Sequence, residues 1–287
     1  MNFLPTQNKL SSVLTAIPGD KSISHRSIII GALTKGKIEI EGFLCSEDCL
    51  NTIAVFQALG VRISRNHSSV TIESNGVEGF QKPQKILNVG NSGTGIRLIS
   101  GVLSALPFDT KISGDESIQK RPMGRIIEPL SLMGAKIESP SGVPPLSIYG
   151  NQLIKSVNYQ MKIASAQVKS AILLAGVTAK VPVTVTEPEY CRDHTERMLR
   201  LFGANCSNKS GEIIYDGSEL IAPNQSLQIP GDISSALFFI CLAILTNQEV
   251  TFKNIGLNPS RIGCLEILDR MGAPVKIIES KDTYEPL

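Results

Sequence analysis

Four glycines, Gly60, Gly134, Gly203 and Gly272, recur along the 287-residue chain at intervals of 74, 69 and 69 residues. Each closes the same local pattern, a helix-like apolar run, then the glycine, then a strand-like segment. The four copies read Phe56-Gln57-Ala58-Leu59-Gly60-Val61-Arg62-Ile63, Leu130-Ser131-Leu132-Met133-Gly134-Ala135-Lys136-Ile137, Met198-Leu199-Arg200-Leu201-Phe202-Gly203-Ala204-Asn205 and Ile267-Leu268-Asp269-Arg270-Met271-Gly272-Ala273-Pro274. Glycine suits the position just past a helix C-terminus, where positive φ costs no Cβ clash. Near-constant spacing of this kind marks one supersecondary unit used repeatedly.

A second pattern lies upstream of each glycine: a short strand, a turn of small residues, then an apolar helix. Its copies open at Ile17-Pro18-Gly19-Asp20-Lys21-Ser22, Leu87-Asn88-Val89-Gly90-Asn91-Ser92-Gly93-Thr94-Gly95, Met161-Lys162-Ile163-Ala164-Ser165-Ala166-Gln167 and Ile229-Pro230-Gly231-Asp232-Ile233. The helices that follow, at 28–33, 99–106, 171–177 and 237–245, carry almost no polar face. Such helices are expected to be buried on all sides. Strand patterns fall at 37–40, 110–113, 181–186 and 249–252. The unit therefore reads β-α-β-α-β-β, with apolar helices inside and sheets outside. Its helix starts should converge at one end of the bundle.

Those helix starts are where chemistry is expected. Lys21, Ser22 and Arg26 crowd the first turn of a helix, with Asp20 and Ser22 as candidate caps. Cations oppose the helix dipole there, so they call for an anion, which free backbone N–H groups also favour. The turn Gly90 to Gly95 matches neither the dinucleotide nor the P-loop pattern, but Gly93 would let a ligand approach the backbone. Lys120-Arg121-Pro122-Met123-Gly124-Arg125 packs three cations before an amphipathic helix at 126–133, with Pro122 suited to its first turn. Arg125 is selected there as the bidentate anion contact. Ser165 is a natural N-cap, and Gln167 can bond a hydroxyl-rich ligand. Asp193 with Glu196 forms a capping-box pattern. His194 is a possible acid or base, although His25, His67 and His194 all read first as structural. The fourth copy has Ile233 where the first has Lys21, and is expected to be architectural.

Composition narrows the classes. Net charge is +2, there is no Trp and aromatics are 5%, so neither electrostatic nor stacking recognition of nucleic acid is expected. No apolar run is long enough to span a membrane. Cys45, Cys49, Cys191, Cys206, Cys241 and Cys264 show no metal or redox spacing, so reduced thiols, a cytoplasmic location and no metal site are expected. The length suggests about two domains.

The ordered set Pro18 to Arg26, Gly90 to Gly95, Lys120 to Arg125, Ala164 to Ser170 and Arg192-Asp193-His194-Thr195-Glu196 resembles the 5-enolpyruvylshikimate-3-phosphate synthase family, the 3-phosphoshikimate 1-carboxyvinyltransferases, nearest its bacterial class II members. The resemblance implies an inside-out α/β barrel of six repeated units, of which this chain holds four and so looks C-terminally truncated. It implies a discontinuous first domain, 1–20 with 226–287, and a complete second domain, 21–225. The implied reaction moves the enolpyruvyl group of phosphoenolpyruvate onto the 5-hydroxyl of shikimate 3-phosphate by addition and elimination of phosphate, without cofactor or metal. Shikimate 3-phosphate would meet Lys21, Ser22, Arg26, Ser165, Ala166, Gln167 and Arg192. Phosphoenolpyruvate would meet Lys21, Gly93, Arg125 and Gln167, with Lys21 also moving a proton.

The family's carboxylate base has no local substitute, since Asp282-Thr283-Tyr284-Glu285-Pro286 stands in the wrong place. Weak substrate binding and poor turnover are therefore expected of this chain alone, with the helix at 237–245 undercovered. A completed enzyme, a monomer, should be sensitive to glyphosate because Gly93 leaves room. Two alternatives stay open. One is a ligand-binding or inert remnant. The other is the related transferase acting on UDP-N-acetylglucosamine, which usually has Lys-Asn where this chain has Lys21-Ser22.

Overall fold

The computed structural model describes residues 13–281 and 283–287. Residues 1–12, part of the expected first domain, and Asp282, part of the 282–286 segment, lie outside the described residues. The chain forms two compact units, one made of 1–20 with 230–287 and the other of 21–229.

The elements follow the repeat. The strand β1 (Val13–Leu14) precedes the first copy, α1 (Lys21–Leu33), β2 (Lys35–Glu41), α2 (Glu47–Ala58), β3 (Arg62–Asn66) and β4 (Ser69–Asn75). The second copy is β5 (Leu87–Asn88), α3 (Gly93–Leu103), β6 (Thr110–Ser113), α4 (Gly124–Leu132), β7 (Lys136–Glu138) and β8 (Leu146–Tyr149). The third is β9 (Val157–Gln160), α5 (Ala166–Ala179), β10 (Val183–Thr186), α6 (His194–Leu201), β11 (Cys206–Lys209) and β12 (Glu212–Tyr215). The fourth supplies β13 (Leu227–Gln228), α7 (Ile233–Leu245), β14 (Thr251–Phe252) and α8 (Gly263–Arg270). All four repeat glycines have positive φ, between 77° and 103°, as a helix C-terminal glycine should.

In the 21–229 unit three sheets share one topology. Each has a parallel pair at one edge and an antiparallel hairpin at the other: β9-β10-β12-β11, β5-β6-β8-β7 and β13-β2-β4-β3. The third sheet departs from simple repetition. Its edge strand is β13, which opens the fourth copy in sequence yet pairs Leu227 with Ile40 in the first copy's sheet. The strand β1 takes the reciprocal place, parallel to β14 in the other unit. This exchange puts residues 226–229 with the 21–229 unit, four residues beyond the boundary that the sequence suggested. Each sheet turns one face inward: Ile38 and Ile40 of β2 and Val70 and Ile72 of β4 are buried, while their neighbours are partly exposed.

The inward faces cover α1, α3 and α5, which are buried nearly throughout. Packing of α3 on α5 is close enough that a Cβ on Gly101 would stand 2.2 Å from the Ala171 carbonyl oxygen. Helices with no polar face thus lie inside, as their sequences require.

The 1–20 and 230–287 unit is built on α7, α8 and the β1–β14 pair, around Ile233, Ala236, Ile240, Ile255 and Leu268. Asp232 caps α7 by accepting from the Ser234 N–H at 2.9 Å, and it also holds Arg261 at 2.9 Å. That structural use fits the architectural role expected of the fourth copy. Burial on all sides does not extend to α7. Phe238 and Leu245 are 79% and 84% exposed, because this unit presents cover to one face of the helix only. The segment 283–287 folds back, with the Leu257 N–H donating to Pro286 at 2.7 Å and Asn258 donating to the buried Glu285 carboxylate at 2.9 Å.

Candidate functional site

Within the 21–229 unit, the first turns of α1, α3 and α5 touch through their side chains. The Gln167 amide on α5 donates to Thr94 Oγ1 on α3 at 3.1 Å, and its carbonyl accepts from Arg97 Nη1 at 3.1 Å. On α1, the His25 ring faces Thr52 Oγ1 at 2.8 Å and Ser92 Oγ at 3.4 Å. Ser92 is the α3 N-cap, accepting from the Gly95 N–H at 2.9 Å. Ser165 caps α5, with the Val168 N–H donating to it at 3.4 Å. Three helix N-termini, each with unsatisfied N–H groups and a partial positive charge, therefore open onto one place.

Lys21 stands half-exposed at the start of α1, paired with Asp48 of α2. Ser22 accepts from Arg192 Nη1 at 3.4 Å. Ser165, Ala166 and Gln167 are all part-exposed at the start of α5. Of the residues singled out from sequence, Ser22 meets Arg192, Gln167 meets the Arg97 that flanks Gly93, and Lys21, Ser165 and Ala166 stand accessible at the starts of their helices. Two arginines singled out with them have other surroundings. Arg26 is 3% exposed, with Nε donating to Thr195 at 2.6 Å, Nη2 to Ser170 at 2.8 Å and Nη1 to the Ser22 carbonyl at 2.9 Å. It braces the site from behind.

The second is in the basic loop. Arg121, not Arg125, stands beside Gly93: a Cβ built on Gly93 would lie 2.5 Å from Arg121 Nη1 and 3.1 Å from Arg97 Nη1. Arg121 is steered there by the Asn91 side chain, which accepts from its Nη2 at 2.6 Å. Arg125 is exposed and close enough to add repulsion. The helix α4 starts at Gly124, so Pro122 lies in the approach loop rather than in the first helical turn.

Arg97 escaped the sequence reading. It sits one turn into α3, and its signal was a lone cation in an otherwise apolar helix. Its pKa is pushed down, first by burial and then by the Arg121 and Arg125 charges. Among the described residues none of these three arginines forms an ion pair. Arg97 and Arg121 are part-buried at converging helix N-termini, with exposed Arg125 adding to the repulsion on Arg97, an arrangement that an anion would stabilise.

The two histidines near the site are structural. Burial, with the Lys21 and Arg26 charges, lowers the His25 pKa to about 3, so it is a neutral bridge among α1, α2 and α3. His194 is buried at the start of α6. The capping box expected next to it does not form. Asp193 instead accepts from Arg197 Nε at 2.8 Å, and Glu196 is turned inward onto Lys169 at 2.6 Å. The competing buried cation explains the difference.

Repeated β-α-β-α-β-β units, with buried helices whose cationic starts gather within the 21–229 unit, define an α/β protein built from one recurring element. The sequence profile of EPSP synthase (3-phosphoshikimate 1-carboxyvinyltransferase) matches residues 4–285, and the chain belongs to that family. Proteins of Bacillus licheniformis and Bacillus subtilis named 3-phosphoshikimate 1-carboxyvinyltransferase are each 48% identical to it, over 270 and 271 residues and 93% of this chain. A solved EPSP synthase from Acinetobacter baumannii, 45% identical, superposes with a TM-score of 0.88 over 96% of this chain and 62% of its own length. This chain spans 62% and 63% of the length of the two Bacillus relatives.

Proposed function

We propose that this polypeptide binds shikimate 3-phosphate and phosphoenolpyruvate and takes part in transfer of the enolpyruvyl group to the 5-hydroxyl. The observation that supports this most is the meeting of three helix N-termini around Lys21, Arg97 and Arg121. Both substrates are small anions, and two separate cationic places are available for them. One lies at the start of α5 and beside Ser22 and Arg192, suited to the shikimate phosphate and ring hydroxyls. The other lies at Gly93, Arg97, Arg121 and Gln167, suited to the phosphate and carboxylate of phosphoenolpyruvate. Lys21, exposed at the start of α1 and paired with Asp48, is assigned to both.

In this reading the sugar-like hydroxyl adds to C2 of phosphoenolpyruvate while a proton goes to C3. The tetrahedral adduct then loses phosphate, and a C3 proton leaves to restore the double bond. Lys21, tied to Asp48, is the ammonium placed to hold or move a proton. The guanidiniums offset charge on the departing phosphate, and holding both partners removes the entropic cost of their encounter. Arg26 contributes by fixing Ser22. A cytoplasmic location is part of this proposal, and there the cysteines, which form no disulfide among the described residues, would stay reduced. No described helix is long and apolar enough to cross a membrane.

The test is phosphate release from phosphoenolpyruvate with shikimate 3-phosphate or UDP-N-acetylglucosamine as acceptor, alongside calorimetric titration of each acceptor. Release or binding that responds to shikimate 3-phosphate alone supports the proposal. Preference for the UDP-sugar, or no interaction with shikimate 3-phosphate, contradicts it.

A further inference from the structure

Lys169, four residues past the α5 cap, has no solvent-exposed side-chain surface. Its Nζ lies 2.8 Å from Glu187 Oε2 and 2.6 Å from Glu196 Oε1, and 3.4 Å from the Cys191 carbonyl oxygen. These three groups bracket the segment between β10 and α6: Glu187 at its start, Cys191 in its middle, Glu196 in the first turn of α6. The Cys191 thiol donates back to Glu187 at 2.9 Å. Glu187 Oε1 and both Glu196 carboxylate oxygens have no hydrogen-bond partner among the described residues, so the Lys169 charge, in ion-pair contact with each carboxylate, supplies most of what offsets their burial. The next residue in each direction joins the cluster to the site. Ser170, beside Lys169, meets Thr195 Oγ1 at 2.6 Å, and both hydroxyls accept from Arg26. Two cations, Lys169 and Arg26, thus balance two carboxylates, Glu187 and Glu196, in one hydroxyl-bridged interior cluster.

An ion cluster of this kind is seldom a net source of stability, because desolvation cancels most of the attraction. Its use must lie in geometry, and the geometry has one visible product. The segment it clamps carries Arg192, whose guanidinium reaches Ser22 Oγ at 3.4 Å. We propose that Lys169 is a positioning residue: by holding Glu187, Cys191 and Glu196 together it fixes the 187–196 segment so that Arg192 is presented at Ser22. The inference rests on the proposed shikimate 3-phosphate site for its effect on binding, and on geometry alone for its effect on the segment.

The experiment has two arms, on the full chain with Lys169→Met, Lys169→Arg, Arg192→Ala and the double variant Lys169→Met with Arg192→Ala. In the first arm hydrogen exchange is followed by mass spectrometry over 187–196, with no ligand. Lys169→Met is expected to speed exchange there by about tenfold or more while α3 stays protected, and Lys169→Arg should restore much of the protection. In the second arm shikimate 3-phosphate is titrated calorimetrically. Arg192→Ala and Lys169→Met should each weaken binding by about tenfold, and the double variant should be little worse than either, since both remove one contact. Independent, multiplying losses, or exchange at 187–196 unchanged in Lys169→Met, would overturn the proposal. If the unaltered chain does not bind shikimate 3-phosphate, the function proposed above fails, while the exchange arm still decides the positioning role. If Lys169→Met does not fold, the triple variant Lys169→Met, Glu187→Gln, Glu196→Gln removes the buried charges together and is read in the same two arms.

Discussion

Gly93 shows most clearly what single residues decide here. A methyl group at this position would meet Arg121 and Arg97 rather than backbone, so the fold can accept it while the two guanidiniums must move. A charge-assisted hydrogen bond is worth about 1.5–3 kcal/mol. Gly93→Ala is therefore expected to weaken phosphoenolpyruvate binding by about tenfold or more, with shikimate 3-phosphate affinity within about twofold of the parent. Calorimetry with each ligand separately checks this, and equal losses for both would contradict the division of the site. His25 makes a second residue-scale case. Its folded pKa, about 3, lies below the ordinary 6.5, so the unfolded chain takes up the proton first as pH falls. The stability due to neutral His25 is complete above about pH 6.5 and is lost progressively between there and about pH 3. Denaturant midpoints from pH 7 to pH 4 should fall more steeply for the parent than for His25→Asn. Parallel slopes would show that another group controls acid stability.

At the scale of elements, the site depends on caps as much as on charges. Ser92 satisfies the first turn of α3 and touches His25, so Ser92→Ala should cost about 1 kcal/mol of stability and loosen the turn that carries Gly93. Urea unfolding measures the first effect. Asp193→Ala serves as the contrast, since Asp193 lies at a helix start but its side chain serves Arg197. The repeat elements were legible in sequence because they are written in local signals: positive-φ glycines, apolar helices and small-residue turns. What local signals leave open depends on packing between elements. Arg121 and Arg125 lie in the same basic loop, and contacts with Asn91 and Ser117 hold Arg121 toward Gly93. The surroundings of Arg26 are set by Ser170 and Thr195, 144 and 169 residues away, which accept from it. The capping box at Asp193 failed for the same reason, because Lys169 on another helix claims Glu196.

Over the whole molecule, the exchange of β1 and β13 is the feature that local signals do not reveal. Each strand pairs outside its own repeat, so the chain passes between the two units twice, after residues 20 and 229. The residues gathered at the starts of α1, α3 and α5 all belong to the 21–229 unit, and the proposed function requires that they form one anion site. The most direct test is calorimetric titration of shikimate 3-phosphate into this chain and into Lys21→Met at two salt concentrations. One anion site at these helix starts should give saturable one-to-one binding by the parent that weakens as salt rises, and a loss of about tenfold or more in Lys21→Met. No saturable binding by the parent, or equal affinity in Lys21→Met, would contradict it.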